Sequence, residues 1–205
     1  MEFNSDNRVD VSQNIIKVFY EYQDLVEYTG LKIAYLNNIV LLGNYCYSNI
    51  FGKDCSSNTF GDECYSNVFG NNCSSNTFGD ECSSNVFGNG CLSNTFGNTC
   101  RHNKLGNNCS FSTFDGYCTD NNLGNNCASN TLGSSSSSNT FGNTCTNNIF
   151  GNSCNSNTFG DGCNSNMFGN NCSSNTFGNN CSSNTFGLYN STNKFENSCS
   201  TNKFG

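Results

Sequence analysis

The 205-residue sequence contains no proline and no tryptophan, a single histidine, and only 8 Lys plus Arg. With so few cations against 15 acidic residues, and a formal net charge of -7, the chain cannot lay a basic stripe along a phosphate backbone. No nucleic-acid partner is therefore expected. The same balance weakens attraction to an anionic membrane surface. No long apolar run occurs, so no membrane insertion is expected. The opening Met1-Glu2-Phe3-Asn4-Ser5 has no basic region leading into an apolar core, so no signal peptide is expected. Hydrolase elbows, P-loops and dinucleotide fingerprints are missing too. Hydrophobic residues make up 34% and charged residues 11%. Both fall well below globular norms of roughly 45–50% and about 25%. Disordered chains share the low apolar fraction, but they are poor in aromatics and rich in charge. This one has 18 Phe and 9 Tyr, evenly placed, and a periodic fold explains that better.

What the chain does have is a nine-residue period. All 16 Cys fall on one grid running from Cys46 to Cys199, and only Ser136 and Asn190 interrupt it. Three residues after each grid point stands Asn, from Asn49 to Asn202, with Ser112 as the exception. Five residues after it stands Phe, from Phe51 to Phe204, replaced only by Leu105, Leu123 and Leu132. Gly follows directly, except at Asp115 and Glu196. No insertion shifts the phase between Cys46 and Gly205.

A unit this short cannot bury its apolar side alone, but stacked units can. The expected fold is all-β, a parallel β-solenoid of nine-residue repeats. Its core would comprise a thiol column (Cys46, Cys55, Cys64, Cys73, Cys82, Cys91, Cys100, Cys109, Cys118, Cys127) beside a ring column (Phe51, Phe60, Phe69, Phe78, Phe87, Phe96, Phe141, Phe150, Phe159, Phe168, Phe177, Phe186). Cys and Phe are five steps apart, which puts them on opposite faces of a straight strand. If both face inward, a bend lies between them, and Gly and Asn, tolerant of positive φ, are expected to mark the bends. That gives two short strands and two corners per unit. The residue before each early Phe alternates Ile50, Thr59, Val68, Thr77, Val86, Thr95, and the acidic pairs Asp62-Glu63 and Asp80-Glu81 also lie two units apart. Two repeats per coil are expected, with three as the alternative. The Asn column can form an amide ladder along the axis, inside the coil or on its surface.

Residues 1–45 differ and are expected to form a cap or docking segment carrying a divergent first repeat, with Leu42 and Gly43 in the Phe and Gly positions. Residues 12–30 fit either a helix or a strand. The solenoid proper spans 46–205.

The thiols invite chemistry, but no CxxC occurs and the nearest Cys residues are nine apart, which argues against a metal site. Parallel in-column neighbours rarely meet the disulfide dihedral, so reduced, buried thiols acting as filler are expected, together with folding in a reducing compartment. A calcium-binding roll shares the period but needs an Asp column that is missing here. No cofactor is expected. The least regular stretch, 100–123, is the place for a local site, with Arg101, His102, Asp115, Tyr117 and Asp120 as candidates. No evident carboxylate pair forms there. Thr is common just before Phe, which raises ice binding, but a paired Thr column is absent and Lys104, Asn122 and Lys194 interrupt the single one.

The unit C-x-S-N-x-F-G-x-x resembles the Asn-, Cys- and Phe-rich nonapeptide repeats of proteins from gut bacteria and their phages. The resemblance covers residues 46–205 and implies surface, fibre or tail-associated proteins. It supplies no catalytic residue. The expected function is a non-enzymatic spacer or binding module with a polar Ser/Asn/Thr exterior. It would act as a homo-oligomer or part of a larger assembly, with glycans as a further partner. A glycan-acting enzyme or adhesin, and an ice-binding protein, are the alternatives.

Overall fold

The computed structural model describes residues 33–36, 39–42, 44, 46–48 and 50–205; the helix-or-strand stretch 12–30 lies outside them. The chain is a parallel β-solenoid. An antiparallel hairpin, β1 (Ile33–Leu36) and β2 (Ile39–Leu42), is followed by two-residue strands from β3 (Ile50–Phe51) to β20 (Lys203–Phe204), one per nine-residue unit. Each strand pairs in parallel with the one two units away, as Thr59 with Thr77 and Val68 with Val86. Two units therefore make one coil, and the three-unit alternative is excluded. The coil has two walls, a nine-stranded sheet and an eleven-stranded sheet. Nine rungs at the usual inter-strand spacing make a body about 43 Å long. β2 joins the eleven-stranded wall with Leu42 opposite Phe60.

Both ladders face inward. Phe51, Phe60, Phe69, Phe78, Phe87, Phe96, Phe141, Phe150, Phe159, Phe168, Phe177 and Phe186 are buried. Rings of one wall stack nearly parallel, as Phe69 and Phe87 do at 4.4 Å and 4°. Rings of opposite walls meet edge to face, as Phe60 and Phe69 do at 5.3 Å and 83°. These are the two arrangements the ring quadrupole favours when perfect overlap is avoided. Cys46, Cys64, Cys73, Cys82, Cys91, Cys100, Cys109, Cys118 and Cys127 are buried beside them, and Cys55 is half-buried.

The Asn column is inside. In a typical rung, the Asn85 Oδ1 accepts both the backbone N–H and the side-chain amide of Asn67, each at 3.0 Å. The Asn85 side-chain amide in turn donates to the Cys64 carbonyl at 2.9 Å. A buried amide without such partners would cost roughly 1–3 kcal/mol, so the ladder removes a penalty at every rung. Ser112 is the gap: its buried hydroxyl makes no hydrogen bond.

The corners differ from the sequence expectation in three ways. Each unit holds one strand, not two, because the Cys segment makes no ladder of its own. The left-handed residues are not the Asn and Gly of the motif. They lie two and eight residues after the Cys position, as Ser57 (φ 61) and Asp54 (φ 61) show. Coil-to-coil backbone bonds hold these corners: the Ser57 amide donates to the Ser74 carbonyl at 3.0 Å and the Asp54 amide to the Asn71 carbonyl at 2.9 Å. A residue with no special taste for αL is thus kept there by its partners. Third, the motif Gly supplies room rather than φ. A Cβ at Gly97 would lie 2.4 Å from the Asp80 Oδ1 and 2.7 Å from the Gly79 backbone carbon, because the coils touch at this point. Among the described residues, the only Gly with positive φ, Gly90 and Gly162, sit at the last corner position.

Candidate functional site

Chemistry on a solenoid must come from the columns that run along its axis. One thiol column runs Cys55, Cys73, Cys91, Cys109, Cys127, Cys145, Cys163, Cys181, Cys199 without interruption; the other contains Ser136 and Asn190. The thiols do more than fill space. The Cys73 Sγ–H donates to the Gly52 carbonyl at 3.2 Å, and the Cys91 Sγ accepts the Cys73 amide at 3.3 Å. The two substitutes keep this pattern. Ser136 Oγ accepts the Cys118 amide at 3.2 Å and donates to the Asp115 carbonyl at 3.3 Å. Asn190 accepts the Cys172 amide and donates to the Gly169 carbonyl at 3.2 Å. The column thus requires one acceptor and one donor on a small side chain, which is why Ser and Asn, not Ala or Val, replace Cys.

Burial pushes the Cys181 thiol up to about 12. The thiolate is the reactive form, and burial disfavours it at Cys181; elsewhere the shifts run both ways, with Cys64 and Cys73 pushed down by hydrogen bonds from neighbouring thiols of their columns. Among the described residues, no group of three His, Cys, Asp or Glu is placed to hold a metal ion.

The irregular stretch 100–123 distributes its side chains over the surface. Arg101 and His102 are exposed on the nine-stranded wall, next to Lys104. Asp120 lies one coil beyond His102, the His102 amide donating to the Thr119 carbonyl at 3.2 Å. Asp115 stands exposed in a Gly position on the eleven-stranded side, and Tyr117 occupies the next left-handed corner, 62% exposed. Register brings His102 and Asp120 to neighbouring rungs. No ion pair joins Arg101, His102, Asp115, Tyr117 and Asp120; the one ion pair among the described residues is Lys194–Glu196 at 2.7 Å.

The outer faces are the feature that sequence reasoning missed. The residue before each Phe or Leu points outward, and alternate units put it on opposite walls. The nine-stranded wall presents Val68, Val86, Lys104, Asn122, Thr140, Thr158, Thr176 and Lys194. The eleven-stranded wall presents Thr59, Thr77, Thr95, Thr113, Thr131, Ile149, Met167, Thr185 and Lys203. The residues expected to interrupt the Thr array, Lys104, Asn122 and Lys194, therefore stand on the opposite wall from its first five members. Reading the Thr positions in steps of two units would have separated the walls.

The exterior is also not the uniform polar surface expected. Tyr47, Tyr65, Val68, Val86, Leu92, Phe111, Ile149, Met167, Leu188 and Tyr189 are all exposed. The outward strand position selects for β-branched or extended side chains rather than for polarity, which lets Val, Ile and Met in. Tyr47 and Tyr65 stack along the axis at 5.1 Å and 4°. No helix among the described residues is long and apolar enough to cross a membrane.

Comparison of the chain with protein-family models, with curated proteins and with solved structures gives no match.

Proposed function

We propose that the chain is a non-enzymatic, rigid spacer that works within a larger surface or fibre-like assembly. The observation that carries this reading is the uniformity of the rungs. Asn, Cys and Phe repeat the same inward and axial bonds from coil to coil, as in Asn85 to Asn103, Cys73 to Cys91 and Phe69 to Phe87. The side chains that could do chemistry are either locked in that core or scattered outside it. Quasi-one-dimensional stacking of this kind favours stiffness along one axis. The exposed apolar side chains, Tyr65 and Val68 among them, suit a molecule with neighbours better than a solitary one. The resemblance to phage and bacterial repeat proteins points to the same use. Glycan contact is not part of this reading, because it rested on a polar exterior that the surface does not have.

Solution scattering combined with light scattering tests both halves. The expected result is a rod-like profile together with a mass above that of one chain. A flexible-chain profile would count against stiffness, and a strict monomer at high concentration against assembly.

A further inference from the structure

We infer that the eleven-stranded wall carries an ice-binding face built on Thr59, Thr77, Thr95, Thr113 and Thr131. These five occupy successive rungs, each in register with the next. Their backbone is held rigid: the amides of Thr77, Thr95, Thr113 and Thr131 donate to Asn58, Asn76, Asn94 and Ser112 carbonyls at 2.8–2.9 Å. Among the described residues none of the five hydroxyls has a hydrogen-bond partner, and all face outward toward water. Threonine is stiff at χ1, so hydroxyl and methyl repeat in a fixed orientation at about 4.8 Å from rung to rung.

A second column runs beside them. Ser57, Ser75 and Ser93 are exposed two residues before Thr59, Thr77 and Thr95, with a buried Asn between each pair. Their hydroxyls also make no hydrogen bond among the described residues. The paired hydroxyl array missing from the sequence as Thr-x-Thr is thus present as Ser-Asn-Thr at Thr59, Thr77, Thr95 and Thr131, with Phe111 in place of Ser at the Thr113 rung. On the other flank, Gly61, Gly79, Gly97 and Gly133 carry no side chain to rise above the array, and Asp115 is the one side chain there.

The asymmetry of the rod gives independent support. Over the matching rungs the nine-stranded wall presents Val68, Val86, Lys104 and Asn122, and its corner column presents His102 and Asp120. In the outward strand position only the eleven-stranded wall is uniform over these rungs; its flanking columns are broken once, at the Thr113 rung, by the exposed Phe111 and Asp115. A regular lattice of water matches a surface that is rigid, repeating and half apolar, since each methyl sheds disordered water while each hydroxyl anchors an ordered one. A polysaccharide is the competing ligand for repeated hydroxyls. Sugar recognition relies on aromatic platforms and on carboxylate or amide forks; the outward column from Thr59 to Thr131 has neither, and the face offers one aromatic and one carboxylate beside it, Phe111 and Asp115 at the Thr113 rung.

The test measures grain growth in annealed ice, and adsorption of the dye-labelled full chain to an ice surface, for wild type and three variants. Thr95→Lys and Thr77→Lys place a charge inside the array; Thr158→Lys places the same charge on the other wall. Lys104, Lys194 and Lys203 already occupy this unit position, so the variants are expected to fold, and thermal melts check that they do. Wild type and Thr158→Lys should suppress grain growth and coat the ice, and the two array variants should lose both. The inference is overturned if folded wild type leaves grain growth as buffer leaves it, or if Thr158→Lys loses activity as completely as Thr95→Lys. Binding to a polysaccharide panel that Thr95→Lys abolishes, without any effect on ice, would overturn it in favour of a carbohydrate face.

Discussion

Asn98 accepts the Gly116 amide at 3.1 Å, whereas one coil earlier Asp80 accepts the Asn98 amide at 2.7 Å. The difference traces to the residue alongside. Asp115 stands where the motif has Gly, and its Cβ occupies the space the lower side chain would use. The same stretch recurs at the other exception: beside Glu196, Asn179 accepts the Asn197 amide at 3.2 Å. Where Gly is kept, as at Gly106 and Gly142, the corresponding bonds measure 2.8 Å. Gly and the surface Asn or Asp ladder are therefore one device.

Gly97→Ala should accordingly destabilise the rod by about 1–3 kcal/mol, the usual range for forcing atoms into a packed contact. Asp115→Gly should raise the thermal midpoint. Melting curves of the two variants check both signs, and a neutral Gly97→Ala would refute the close-approach argument.

Ser112→Asn should stabilise. It would extend the internal amide ladder across the one rung where a buried hydroxyl is unsatisfied. A gain of about 1–2 kcal/mol is expected from ending that penalty. The urea midpoint should rise with unchanged slope.

A thiol reagent should discriminate sharply under native conditions. Cys55 and Cys199 are half-buried, and every other Cys is buried. These two should react first. The rest should label only as the chain unfolds, which mass spectrometry of the quenched protein would show.

The contribution of Cys181 to stability should fall in alkali. Burial raises the Cys181 thiol from 9.0 to about 12 in the folded chain. Below pH 9 the thiol is protonated in both states, and its contribution is fully present. Between 9 and 12 the unfolded chain releases the proton while the folded one retains it, so unfolding gains with each step of pH. Cys181→Ser should keep the hydrogen bonds, as Ser136 does, and reduce this slope. Denaturant midpoints measured from pH 8 to 11 supply the test.

Much of this architecture could be read from residue order. The column of Phe from Phe51 to Phe204 demanded a shared interior, and the Thr/Val alternation around Thr59 and Val68 gave the coil size. The corners could not be read, because residue type alone does not decide which positions take positive φ. At Ser57 the deciding factor is a backbone bond to Ser74, seventeen residues away, which no local propensity contains. The role of Gly97 was hidden for a related reason: its constraint is the Asp80 side chain of another coil. The outer Thr face was obscured because Lys104 and Thr95 are nine residues apart in sequence yet stand on opposite walls. The stretch around His102 and Asp115 looked irregular, and it is, but irregularity there marks substitutions tolerated by the coil rather than groups drawn together.

The pairing of each residue with its counterpart eighteen positions away, as in Thr59 with Thr77, makes insertions and deletions unequal. Losing two repeats shortens the molecule and leaves its sides in alignment. Losing one leaves every interior contact chemically satisfied, yet it transposes everything downstream, so a surface that was continuous ends halfway along and resumes on the far side. A lineage that depends on one side would therefore be free to vary its length only in even steps.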